Sequence, residues 1–205
     1  MLYFDFDGTI ADVWQRYYRV FKDASGIPGI TLEEYIQVKR AFPRDTDVAA
    51  HFGGALPDSY WERKRSMLED PAYLAFDRLI VPAEQICAFF QAHDCRILTN
   101  RRKAEAFYGE IRALGLESLL DQCIVLNPDE KKTKVQYLQE IHPDECFALV
   151  GDAEAEAQVA ALEMAEITLV RTGLRIPESL PGVENCRIVE DIEVFMNAFK
   201  ETISL

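Results

Sequence analysis

Two carboxylates, Asp5 and Asp7, stand two residues apart in the run Asp5-Phe6-Asp7-Gly8-Thr9. If a strand ends there, both side chains point the same way and face one space. Gly8 then permits a sharp turn. Such a pair can hold a hard cation. It can also divide the work of nucleophile and general acid/base. An EF-hand loop opens with Asp-x-Asp too, but it needs Glu at its twelfth position, where this chain has Arg16. A turn carrying chance acids is the remaining alternative.

Three further clusters follow. Thr99-Asn100 closes the apolar run ending at Leu98 and offers a hydroxyl and an amide to an anion, or an ordinary helix cap. Lys131, Lys132 and Lys134 crowd the start of a helix, where cations oppose the macrodipole. That placement points to an anion for at least one of them; a solvated charge run is the competing reading. Val150-Gly151-Asp152 delivers an acid from an apolar run, and Glu156 follows one helical turn later. Asp152 as a plain N-cap is the alternative.

The segments around these clusters alternate in type. Strands are expected at Met1 to Phe6, Cys95 to Leu98, Cys123 to Leu126, Cys146 to Val150, Ile167 to Val170 and Cys186 to Val189, with a short one at Leu79 to Val81. Helices are expected at Pro82 to His93, Lys103 to Leu114, Thr133 to Ile141, Ala153 to Ala165 and Asp191 to about Lys200. That alternation implies βαβ units and a parallel sheet. Between Val13 and Asp77 the pattern is helical instead. Val13, Tyr17, Val20, Phe21 and Ala24 share one face, Thr31 to Glu34 forms a capping box, and Pro57 to Leu68 aligns Trp61, Lys64 and Leu68. The four clusters all follow a strand and precede a turn or helix. In an open parallel sheet such positions converge on one crevice. Acids with a lysine and a hydroxyl suit a metal-bound phosphate.

Composition narrows the class. The chain has 205 residues, 49% hydrophobic and 28% charged, enough for one domain or one with a small insert. The net charge of −13 disfavours nucleic-acid polymers and anionic membranes. Five cysteines without a CxxC read as small buried hydrophobes in a reducing cytoplasm. No apolar run approaches a membrane span, and an N-terminus that meets Asp5 so early is no signal peptide. A cytoplasmic monomer or weak dimer is expected.

The ordered motifs Asp-Phe-Asp-Gly-Thr-Ile-Ala-Asp (5–12), Leu-Thr-Asn (98–100), the lysine cluster (131–134) and Val-Gly-Asp-x-x-x-Glu (150–156) resemble those of the haloacid dehalogenase superfamily. The likeness is to its phosphatase branch with a helical cap, of the phosphoglycolate phosphatase type. The resemblance implies an α/β fold, a Rossmann-like parallel-sheet core from 1–12 and 78–205, with an all-helical cap inserted at 13–77. It implies a Mg²⁺-dependent phosphatase acting on a small phosphorylated metabolite. Asp5 would be the nucleophile that becomes an aspartyl-phosphate, and Asp7 the general acid/base. Mg²⁺ would be held by Asp5, the backbone carbonyl of Asp7, and Asp152. Thr99, Asn100 and a lysine would bind the phosphoryl group. Lys132 is favoured because Lys132-Thr133-Lys134-Val135 matches the family pattern, with Lys131 and Lys134 as rivals. Glu156 departs from the family's usual Asp, and is read either as reaching the metal through water or as a solvated helix carboxylate. An acid at position 7 separates this branch from dehalogenases. Specificity is expected from the cap, with Arg16, Tyr17, Tyr18, Arg40, Arg44 and His51 as candidates. The alternatives are a sugar phosphomutase of the same superfamily and a catalytically weak phosphometabolite-binding module.

Overall fold

A computed structural model describes residues 1–203, with side chains to residue 200. The chain opens with β1 (Leu2–Phe4), whose hydrogen bonding outlasts the strand by one residue through Asp5 N–H to the Val150 carbonyl, 2.8 Å. The ladder stops short of Phe6 because the Phe6 carbonyl accepts from Thr9, Ile10 and Ala11, closing a turn over Gly8. After it, β2 (Ala11–Asp12) leads into five helices: α1 (Trp14–Ser25), α2 (Leu32–Ala41), α3 (Asp45–His51), α4 (Tyr60–Leu68) and α5 (Pro71–Leu74). The chain returns through β3 (Arg78–Leu79), antiparallel to β2. This two-stranded ribbon carries both connections to the helical insert.

The rest alternates as expected: α6 (Ala83–Ala92), β4 (Cys95–Asn100), α7 (Ala104–Ala113), β5 (Cys123–Leu126), α8 (Lys134–Ile141), β6 (Phe147–Gly151), α9 (Glu154–Ala157), β7 (Ala165–Val170), β8 (Cys186–Val189) and α10 (Ile192–Ile203). The six long-range strands form one parallel sheet in the order β5-β4-β1-β6-β7-β8. Order reverses on either side of β1, which opens a crevice at the carboxyl ends of β1, β4 and β6. Successive residues feed opposite faces. Phe4, Ile97 and Val150 join the cluster under α6, α7 and α10, while Tyr3, Leu98 and Leu149 join the one under α8 and α9. Being covered on both faces, these strands are mostly apolar.

Two expectations change in detail. The helix expected over Ala153 to Ala165 is a four-residue α9 followed by a 3₁₀ turn at Gln158–Ala161, after which Leu162 turns extended toward β7. Its Glu156 side chain folds back onto the Ala153 N–H instead of lying along a helix surface. Of the cysteines, all free, Cys95 is buried, Cys87, Cys123 and Cys186 are half-buried, and Cys146 is exposed. Among the described residues no helix is long and apolar enough to cross a membrane.

The insert has its own core. α1 buries Val20, Phe21 and Ala24, and Phe21 meets Tyr35 and Tyr60. The capping box opening α2 forms as read, with Thr31 accepting from the Glu34 N–H. The third amphipathic stripe does not hold: α4 buries Tyr60, while Trp61 is 53% exposed. Helix α3 buries Val48 and Ala49 in this core, and polar contacts add to them at its start. Buried Asp45 accepts from Lys39 at 2.6 Å, from the Tyr60 hydroxyl at 2.7 Å, and from Lys64. Burial alone would raise the Asp45 pKa, but the two ammonium groups outweigh it and hold the carboxyl down at about 2. Lys39 nonetheless falls, because burial of its ammonium exceeds the help from a carboxylate it shares with Lys64. A group whose folded pKa lies below its unfolded value adds stability above the unfolded value and loses it as pH falls through the folded one. Asp45→Asn should therefore cost about 2–5 kcal/mol at pH 7. The gap to the parent should close as pH drops from about 4 toward about 2. Urea unfolding across that range checks it, and a variant as stable as the parent at pH 7 would contradict the assignment.

Candidate active site

Four chain segments reach the crevice and enclose a cavity of about 200 Å³, lined by Asp5, Asp7, Thr99, Asn100, Lys134, Asp152, Glu156 and neighbours. Asp5 and Asp7 come from the turn after β1. Thr99 and Asn100 close β4, with Thr99 buried and Asn100 exposed. Lys134 is the first residue of α8. Asp152 follows β6, and Glu156 is on α9.

Lys134 sits at the centre. Its ammonium donates to Asp5 Oδ1 at 2.6 Å and to Glu156 Oε1 at 2.5 Å, with all three side chains buried. Lys132, favoured by the motif, lies elsewhere: its ammonium is on the surface, 2.5 Å from Glu140 and over the Tyr137 ring. The helix cap explains the exchange. Thr133 caps α8 by accepting from the Gln136 N–H, and Gln136 answers by accepting from the Thr133 N–H. Lys132 therefore stays outside the helix, and Lys134 enters it on the sheet side. Lys131 takes the turn before it, with φ at 59°.

Glu156 is not a solvated carboxylate, being 1% exposed. Its second oxygen accepts from the Ala153 N–H at 3.1 Å. A Cβ at Gly151 would stand 2.0 Å from Glu156 Cγ, so glycine there makes room for the longer acid. Asp152 is likewise packed against bare backbone. A Cβ at Gly8 would lie 2.6 Å from its Oδ2, and one at Gly173 only 1.8 Å away. Gly8 also has φ at +79°, a conformation that favours glycine. The Leu174 N–H donates to Asp152 at 3.3 Å.

Ligand oxygens of Asp5, Asp152 and Glu156 lie within 4.8 Å of one another. Burial pushes Asp5 up to about 7; Lys134 pulls against that shift and Glu156 pushes with it. Burial, then Asp5 and Glu156, raise Asp152 well above the usual carboxylate range. Three buried carboxylates thus share one ammonium. The donor set, hard oxygens at close quarters with an uncompensated charge, fits a divalent cation.

Asp7 is treated oppositely. Its Oδ1 lies 2.8 Å from Arg16 and 2.5 Å from Arg101. Burial would raise its pKa, but the two guanidinium groups outweigh burial and hold the carboxyl below its usual value. Behind them Arg16 pairs with Asp77 at 3.1 Å, and Arg101 with Glu110 at 3.0 Å. Asp77 is pushed up to about 9, mainly by burial, despite Arg16 and with help from Glu110.

Most of the substrate-selecting candidates lie away from the cavity. Arg16 is fully buried against Asp7 and Asp77. Arg40 donates to the Arg171 carbonyl and lies over Trp14. Arg44 pairs with Asp47 on the surface, and His51 packs on Phe42 and Phe52 within and beside α3. Tyr18 donates to the Ile30 carbonyl. Tyr17 alone of this group lines the cavity. Residues that the motifs missed are Arg101, Asp77 and Glu110, together with Arg175 on the loop after β7, which also lines the cavity. Arg101 directly follows Thr99-Asn100, and that adjacency was the available signal.

No protein-family model matches the sequence, and no curated protein matches it. Solved structures do. A predicted phosphatase from Clostridium acetobutylicum aligns over 98% of this chain and 97% of its own, with a TM-score of 0.69 and 15% identity. A HAD family hydrolase from Deinococcus radiodurans R1, with bound phosphate and sodium, aligns over 98% and 94% at a TM-score of 0.69 and 14% identity. The Mycobacterium tuberculosis protein tyrosine kinase A aligns over 96% of each chain at 0.68 and 18%. At such identities the likeness is one of fold: over nearly all of its length the chain has the fold of the haloacid dehalogenase-like hydrolases, and its activity must be argued from the site.

The lysine geometry yields a direct test. Lys134→Met leaves three buried carboxylates without a cation and should cost about 3–5 kcal/mol in metal-free buffer. Lys132→Met should stay within about 0.5 kcal/mol of the parent. Urea unfolding of the two variants checks it, and equal losses would contradict the placement.

Proposed function

We propose that the protein is a Mg²⁺-dependent phosphatase that hydrolyses a small phosphorylated metabolite through an aspartyl-phosphate on Asp5. The observation that carries this reading is the set of opposite environments around two carboxylates two residues apart. Asp5 faces acids and one lysine, while Asp7 faces two arginines. Paired acids whose surroundings push their pKa values apart mark a division of labour.

In this reading an Asp5 oxygen attacks phosphorus and the bond to the leaving oxygen breaks. Lys134 and Thr99, with Asn100 at the rim, steady the phosphoryl oxygens; Lys134 takes the place that the motif assigned to Lys132. Mg²⁺, held by Asp5, the Asp7 carbonyl and Asp152, would supply the positive charge that the acid cluster lacks and lower the repulsion between Asp5 and the phosphoryl group. Glu156 anchors Lys134. A water then gives its proton to Asp7 and attacks phosphorus, freeing Asp5 and phosphate. The arginine pair keeps Asp7 ionised, which is the form this second step needs. Protonating the leaving oxygen in the first step requires Asp7 to carry a proton, and so requires one arginine to slacken. Residues 13–77 act as a cap over a core of 1–12 and 78–205. Tyr17 reaching the cavity from α1, and the thin β2-β3 ribbon as the joint, support that division. The free cysteines accord with a cytoplasmic enzyme.

The grip of Arg16 and Arg101 on Asp7 also favours a second reading, a phosphometabolite-binding module with slow turnover. Phosphate release from a panel of phosphorylated metabolites separates the two. The phosphatase reading expects release that needs Mg²⁺, stops on chelation, and falls more than about 10³-fold in Asp5→Asn. Saturable binding of the same compounds without release would favour the module instead.

A further inference from the structure

Tyr17 is the polar side chain that the helical insert brings to the catalytic cavity. Of the lining residues only Val13 and Tyr17 come from 13–77, and the Val13 side chain has nothing to donate. The Tyr17 ring is well fixed. It packs against the core under α6, α7 and α10 and against the core of the insert, with the Arg16 guanidinium 5.3 Å from its centroid. Its hydroxyl is uncommitted: it has no hydrogen-bond partner among the described residues, and it is not one of the unpartnered polar atoms sealed in the packing. Neighbouring Tyr18, by contrast, donates to the Ile30 carbonyl at 2.7 Å. The charges acting on the Tyr17 oxygen are Asp7, Arg16, Arg101 and Asp152, and Asp7 and Asp152 line the same cavity. Burial, then Asp7, push its pKa above the usual phenol value against the pull of the two arginines, so the oxygen keeps its proton and can donate it.

Breaking the ester bond builds negative charge on the leaving oxygen, in a cavity whose charged walls are mostly acids: Asp5, Asp7, Asp152, Glu154 and Glu156. A donor already aimed at that charge lowers the barrier. The other donors are engaged. Lys134 and Thr99 serve the phosphoryl oxygens, and Lys134 is also held by Asp5 and Glu156. Arg16 and Arg101 hold Asp7, and Arg175 at the rim donates to Glu154 at 2.8 Å. In-line displacement sets the leaving oxygen opposite the attacking one. Asp5 attacks from the end of β1, so the leaving oxygen faces away from the sheet, toward the wall where α1 presents Tyr17.

We propose that Tyr17 is a catalytic residue whose hydroxyl donates a hydrogen bond to the leaving-group oxygen as the bond from phosphorus to that oxygen breaks. The contact adds no step: Tyr17 keeps its proton, and the proton that the departing alcohol takes still passes through Asp7. The assignment rests on the phosphatase reading, and its test separates the two. Tyr17→Phe removes the hydroxyl and nothing else. The probes are acetyl phosphate, whose leaving oxygen shares its charge across a carboxylate, and the alkyl phosphate that the parent cleaves fastest, whose leaving oxygen bears the charge alone. For both, kcat/KM reports the step in which this oxygen departs. The variant should lose about tenfold or more in kcat/KM on the alkyl phosphate and less than about threefold on acetyl phosphate. Both values come from one preparation, so a change in the folded fraction cancels in their ratio. Equal losses on the two compounds, the result of a merely structural role, would overturn the assignment and leave the phosphatase reading standing. No loss on either would do the same. A parent that cleaves no alkyl phosphate would overturn the phosphatase reading and this assignment with it.

Discussion

Three buried carboxylates around one ammonium set the terms for the whole crevice. Asp5, Asp152 and Glu156 could not be held this close without Lys134 between two of them. Their packing dictates local sequence. Gly151 makes space for Glu156, and Gly8 and Gly173 let backbone touch Asp152. Capping by Thr133 aims Lys134 inward while Lys132 stays in solvent. The brevity of α9 belongs to the same arrangement, since Glu156 turns back to the Ala153 N–H. A cluster built this way remains short of positive charge, and a divalent cation is the species that hard oxygen donors in that state attract.

Asp7 shows the other half of the design. Only one residue separates it from Asp5, yet two arginines grip its oxygen, although Asp77 and Glu110 also bring carboxylate oxygens within 4.8 Å. The arginines come from α1 and from the end of β4, and they continue to Asp77, next to β3, and to Glu110 on α7. The charge on Asp7 is thereby tied to both connections of the helical insert. Movement of the insert against the sheet would alter the grip on Asp7.

The strand-end motifs were legible because chain direction does the work: a parallel sheet brings its carboxyl ends together whatever the loops do. Period-two and helical patterns therefore located the crevice, the helical insert, and Asp5, Asp7, Thr99 and Asp152 at its edge. Lys134 was only a rival to Lys132, because two lysines flanking a capping threonine look alike until the cap picks which one enters the helix. Glu156 reads from sequence either as reaching a metal through water or as a solvated helix carboxylate, because its partner Lys134 lies 22 residues away. The Arg16, Arg101, Asp77 and Glu110 network left little local pattern beyond the adjacency of Arg101 to Thr99-Asn100, because Asp7, Arg16, Asp77 and Arg101 come together only in the fold. Helix α3 is short and shows only Val48-Ala49 as an apolar signal, while Asp45, with Lys39, Lys64 and Tyr60, ties its start by contacts from other helices.

The central claim is that the carboxylate cluster is short of one cation. Thermal unfolding of the parent and of Asp152→Asn, each with and without Mg²⁺, tests it most directly. The account predicts that without metal Asp152→Asn is at least as stable as the parent, because it relieves repulsion. It also predicts that Mg²⁺ raises the Tm of the parent and leaves that of the variant almost unchanged. A parent indifferent to Mg²⁺, together with a metal-free variant that melts well below it, would contradict the account.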